Sequence, residues 1–185
     1  MKYFAVLFLS FFLYSCGSST EKEIESTFAS LKDGQAKVLI SIDDKAFYLP
    51  ESIFFGDVQV FDNSFRLNVY DQFESNLVVS FGGNQWYEKK PISKQVFADN
   101  QISASVMIGK LIDKKKLIGE GYLMTDGEIK IKSFSREKLV LELTGKVGRY
   151  QTEREPEKWN TLTGLIIYKK PKLVIQDLTE SQLFY

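Results

Sequence analysis

The chain has 185 residues, with 24 basic and 24 acidic side chains, one cysteine and no histidine. Balanced charge provides no strong field for gathering nucleic acid. Without histidine the chain has no Ser-His-Asp or Cys-His catalysis, few routes to a zinc site and none of the side chain most used for proton transfer near neutrality; carboxylate, lysine or tyrosine chemistry and oxygen-ligand calcium binding remain, and the balance tilts away from an enzyme.

Residues 1–15 read as a secretory leader. Lys2 supplies the positive start, Ala5 to Leu13 is apolar except for Ser10, and the small Ser15 precedes Cys16. The apolar run is shorter than the roughly 20 residues that a membrane-spanning helix needs. Leu13-Tyr14-Ser15-Cys16 resembles the lipobox of bacterial lipoproteins. The resemblance implies removal of residues 1–15 and acylation of Cys16 by palmitate-type chains. The protein is then held in the cell envelope by lipid rather than by a helix. Gly17 is not the aspartate that retains lipoproteins at the inner membrane in enteric-type bacteria. The expected address is therefore the outer membrane, with its periplasmic and surface faces both open. The alternative is an ordinary secretory signal beside a stray cysteine. An acylated Cys16 leaves no thiol for an internal disulfide, so the core alone must hold the fold.

Residues 16–34 form the tether. Cys16-Gly17-Ser18-Ser19 is small and polar, and Thr20-Glu21-Lys22-Glu23 fits a capping box. Ile24, Phe28 and Leu31 then share one helical face, and Gly34 suits a helix stop. The pattern predicts a short helix over about 21–32; a flexible acidic tether is the alternative. Glu21, Glu23 and Glu25 also resemble the acidic segment of surface-exported lipoproteins of the Bacteroidota.

Residues 35–185 read as one β domain. Val38, Ile40 and Ile42 alternate, and Asp43-Asp44 turns the chain into Lys45–Leu49. Asp62-Asn63 joins 57–61 to 65–70 with residues suited to positive φ. Leu77–Phe81 ends at Gly82-Gly83-Asn84. A strand over 102–112 meets Lys114-Lys115-Lys116. Ile118–Met124 reaches a turn signal at Asp126-Gly127, and 128–132 follows. Leu139–Val147 carries a bulge signal at Gly145. After a charged loop over 151–160 come 162–168 and 173–175. About ten short strands spaced near ten residues predict an antiparallel β-sandwich, or a lipocalin-like β-barrel as the alternative. On strand patterning and Gly-ended turns alone, the body resembles small all-β lipoproteins of the Bacteroidota. That likeness transfers no functional residue.

The aromatic candidates are Trp86 and Tyr87, after the Gly-Gly-Asn turn, and Trp159 in the charged loop. Flat rings on loops can stack on sugar faces. The same rings can instead cap a β core, and that reading weighs more. An apolar cavity inside a barrel is a second candidate. A glycosidase pair needs two placed carboxylates, and no spacing selects one; Glu142, between Leu141 and Leu143, alternates toward solvent. Asp43-Asp44 and Asp126-Gly127-Glu128 read as turn chemistry before calcium ligands. No cofactor or metal is implied. The expectation is a membrane-anchored, non-enzymatic binding or assembly module with an envelope protein or glycan partner. A carbohydrate- or small-ligand-binding lipoprotein is second, and a carboxylate-based hydrolase third.

Overall fold

Alternating apolar and polar side chains build one antiparallel sheet that closes on itself. The computed structural model describes residues 17–97 and 103–185; the leader, Cys16 and residues 98–102, with the expected strand start at Ile102, lie outside them. Helix α1 (Gly17–Ser30) precedes β1 (Ala36–Ile42), β2 (Lys45–Ala46), β3 (Phe54–Phe61), β4 (Ser64–Asp71) and β5 (Asn76–Gly82). Then come β6 (Ser93–Phe97), β7 (Ala104–Asp113), β8 (Ile118–Phe134), β9 (Lys138–Arg149), β10 (Asn160–Lys169), β11 (Leu173–Ile175) and α2 (Glu180–Leu183).

The ladder runs β3-β4-β5-β7-β8-β9-β10-β1 and returns to β3 through the pair Ala36–Phe54. The result is a closed barrel of eight antiparallel strands, which corrects the expected sandwich. Both architectures use the same alternation; closure pairs the strand edges that a sandwich would leave open. β1 reaches only the start of β3. The rest of that edge is taken by β11, which runs parallel to Val58–Val60.

The inward positions are bulky and dry. Phe65, Leu67 and Val69 of β4 face Leu77 and Val79 of β5, Val106 and Ile108 of β7 and Leu139, Leu141 and Leu143 of β9, all fully buried. Phe54, Phe134 and Tyr168 complete the filling. Each such side chain contributes roughly 1.5–3 kcal/mol by leaving water. These side chains occupy the space where a ligand cavity was the alternative expectation.

The expected turn at Asp126-Gly127 is instead the middle of one 17-residue strand. β8 pairs with β7 up to Leu123 and with β6 from Asp126 to Lys130, so it changes partner along one edge. In the β8–β9 pair the bulges fall on β8, between Met124 and Asp126 and between Ile131 and Ser133, not at Gly145. Gly127 lies opposite Gly145, both with positive φ, because the two backbones nearly touch there. The Asp43-Asp44 hairpin forms as expected, with φ of 48° and 60°. At Asp62-Asn63 a turn also forms, but neither residue has positive φ.

Helix α1 begins at Gly17, so Thr20 lies inside it rather than capping it. Its expected face does bury: Ile24 and Leu31 pack on Val140 and Ile167, with Phe28 alongside, on the outside of β9 and β10. Lys132 bridges Glu21 of the helix at 2.9 Å and Glu142 of β9 at 3.1 Å. Lys138 reaches Glu25 at 2.9 Å. Exposed pairs like these contribute at most about 1 kcal/mol each; apolar burial is the main force docking the helix. Among the described residues no helix is long and apolar enough to cross a membrane.

Candidate functional site

A row of outward positions crosses five strands in register. Phe55 of β3 pairs with Tyr70 of β4, Tyr70 with Asn76 of β5, Asn76 with Gly109 of β7, and Gly109 with Gly121 of β8. Alternation sends Val69 and Asp71 inward, so Tyr70 must point out; it is 58% exposed. At the other side of the row Tyr150, 44% exposed, follows the end of β9 and lays its ring over Gly121. A Cβ on Gly121 would stand 2.6 Å from that ring, and one on Gly109 would stand 2.3 Å from the Asn76 side-chain oxygen. The Asn76 amide and the Tyr150 ring therefore lie directly on the two glycines, and Tyr70 stands across the row from Tyr150. Three strand spacings separate β4 from β8, about 14 Å. The trough encloses about 540 Å³.

Glu120 carries the electrostatics at one side. Arg149 Nη2 lies 2.7 Å from it and Lys110 Nζ 3.4 Å, and the Tyr122 hydroxyl donates to it at 3.0 Å. Lys110 also donates to the Phe47 carbonyl at 3.0 Å and stands 4.2 Å from the Phe47 ring centre. Glu74 is paired with Lys114. Both carboxylates are thus paired, and of the three cations around them one is in excess. Burial, then the hydrogen bond to Glu120, pushes the Tyr122 phenol above its ordinary value.

The trough rests on a rigid support. Tyr48, on the chain after β2, donates to the Asn76 carbonyl at 2.6 Å from inside. Its ring meets Phe47 and Phe54 edge-on, and Phe47 meets Tyr122 likewise. Buried Asp71 accepts from Ser52 Oγ at 2.6 Å and from the Phe73 and Ser75 N–H groups at 2.9 and 2.7 Å. These bonds fix the turn that carries Glu74, whose φ is 64°.

Burial also holds the Tyr48 phenol protonated far above its ordinary range, and shifts Tyr168 and Tyr185 the same way. An unfolded chain ionises tyrosine near pH 10. Above that pH the unfolded state releases protons that the folded state keeps, so stability present at lower pH is lost as pH rises. Urea midpoints are expected to be level between about pH 8 and 9 and to fall steeply beyond about pH 10. A midpoint unchanged at about pH 11 would contradict the burial of these phenols.

The aromatic residues singled out from sequence lie elsewhere. Trp86, between β5 and β6, is 2% exposed and donates its indole N–H to the Phe61 carbonyl at 3.0 Å. Tyr87 is half-buried and meets the Trp86 ring at 5.6 Å. Trp159, just before β10, donates to the Glu153 carbonyl at 3.0 Å. Phe61 ends a strand running the same way as β10, which Trp159 precedes, so the two indoles sit at opposite barrel ends. Trp159 shares the 150–159 loop with Tyr150. Glu142 is outside the barrel, paired with Lys132. Asp43 accepts from the Thr161 N–H at 2.8 Å, as a turn residue does. No group of three or more potential metal-ligating side chains converges among the described residues.

Sequence reasoning did not single out Tyr70, Asn76, Gly109, Gly121 and Tyr150. The alternation marking Tyr70 as outward was legible; the register that aligns it with two glycines was not. Protein-family models, curated proteins and solved structures were compared with the chain, and none matches.

Proposed function

We propose that this chain is a lipid-anchored envelope protein, seated in the outer membrane, whose barrel is a non-enzymatic binding module. Its ligand surface is the outer trough between Tyr70 and Tyr150. The observation that carries the binding reading is the contrast between a filled interior and an outer trough that carries two solvent-facing tyrosine rings and a side-chain amide. Ligand sites are typically concave and combine aromatic faces with a few fixed polar groups. Support for the anchor is the Leu13-Tyr14-Ser15-Cys16 motif. Helix α1, which begins at Gly17 and docks on β9 and β10 through Ile24, Phe28 and Leu31, would hold the barrel close to a lipid carried on Cys16.

Expressed in a bacterial host, the full chain should incorporate radiolabelled palmitate and sediment with membranes. Cys16→Ala should abolish the label and release the protein to the soluble fraction. Labelling that persists in Cys16→Ala overturns the anchor.

A further inference from the structure

We infer that the Tyr70–Tyr150 trough takes a neutral oligosaccharide lying across the strands. The inference rests on the reading of the trough as the ligand surface, and is independent of the anchor.

What the trough offers is wrong for other ligand classes. Along Tyr70, Asn76 and Gly109 the strands β4, β5 and β7 are paired on both sides, whereas β8 has β7 alone as partner at Gly121, where Tyr150 lies beyond the end of β9. Between Tyr70 and Gly109 the row therefore has no free strand edge, and a peptide lying there cannot be recognised by adding a strand. Charge offers an ionic ligand little, one cation in excess beside carboxylates that are already paired. Two acids and two bases line the trough, Glu74, Glu120, Lys110 and Arg149. Glu120 answers both bases and Glu74 is answered by Lys114. What remains for a ligand is two tyrosine rings, the amides of Asn76 and Gln151 and the outer lone pairs of Glu120. Amides and hydroxyls donate and accept in turn, which matches the alternating demands of sugar hydroxyls. The C–H faces of pyranose rings match the tyrosine faces, which are apolar in the middle and polar at the tip.

A second concavity, about 460 Å³, argues for a chain rather than a single sugar. It lies beyond Tyr70 and is lined by Phe55, Gly56, Asp57, Asn68, Tyr168 and Lys172. Tyr70 belongs to both hollows. It forms a ridge with Phe55, its register partner. A linear glycan stacked on Tyr150 and passing over Tyr70 would occupy both.

Affinity gels containing barley glucan, xylan, galactomannan or the anionic polymer alginate test this directly. Retardation by at least one neutral polymer is expected, with affinity for its oligosaccharides rising with length in calorimetry. Tyr70→Ala and Tyr150→Ala should each weaken binding by about tenfold or more. Tyr70→Phe should retain it. Both tyrosines are exposed, so the variants should melt like the parent chain, and a melt of each variant checks that it is folded. No retardation by any neutral polymer, retardation by alginate alone, or unchanged binding in both alanine variants overturns the inference. A failure here with palmitate labelling intact leaves the anchor standing, so the two readings fail separately.

Discussion

Gly127→Val is expected to prevent the barrel from forming. Gly127 has φ +135°, a conformation that side chains with a Cβ rarely adopt. A Cβ there would lie 2.1 Å from the Thr144 carbonyl oxygen and 2.6 Å from the Gly145 Cα. Both obstacles are backbone, so neither can rotate away. Strain in φ costs about 1–3 kcal/mol and forced overpacking about as much again. The larger consequence is displacement of β8 from β9 where β8 passes from β7 to β6. Against a net stability of about 5–15 kcal/mol for a domain, that loss leaves little folded protein. Circular dichroism should show no cooperative melt, and the protein should collect in the insoluble fraction. Gly34→Ala is the control. Gly34 also has positive φ, at +78°, but nothing lies within 4 Å of its Cβ position. It should cost only about 1–2 kcal/mol. If Gly127→Val melts like the parent chain, the close approach of β8 to β9 is not a constraint on the fold.

The same glycine shows where sequence reading stopped. Asp126-Gly127 has the composition of a hairpin turn, but the glycine serves a cross-strand approach to Gly145, a residue 18 positions away. Local pattern cannot separate these uses. Val38, Ile40 and Ile42 were legible as an inward stripe, and Asp43-Asp44 as a tight turn, because both are local. Closure was not legible. A sandwich and a barrel share the same alternation, and the difference rests on strand ends, chiefly Ala36 against Phe54. β6 was missed because Val96 is its only buried side chain, too little for a period. The trough was missed for the reason closure was: Tyr70, Asn76, Gly109 and Gly121 meet only through register. Tryptophan after a Gly-Gly-Asn turn stood out, but that signal is the same whether the ring is displayed or buried.

Trp86→Ala should be the costliest of the aromatic truncations, about 3–5 kcal/mol by urea denaturation. Trp86 closes the barrel end opposite the trough. Its ring lies edge-on to Phe65 at 5.9 Å and Phe81 at 5.3 Å. Those two stack on each other at 4.7 Å with 9° between planes, and Phe65 also meets Phe134 at 6.0 Å. Removing the indole opens a void beside this cluster and strips the Phe61 carbonyl of its donor. Trp86→Phe keeps most of the packing and loses the hydrogen bond, worth about 1 kcal/mol. Trp159→Ala should cost less than Trp86→Ala, since that ring is only half-buried. The two tryptophans also separate stability from binding. Trp86→Phe is destabilised but folded, and its affinity for a neutral glycan should match the parent chain, because the trough is at the other end. If Trp86→Phe loses glycan affinity as Tyr70→Ala does, the sugar is seated at the Trp86 end and the trough is not its site.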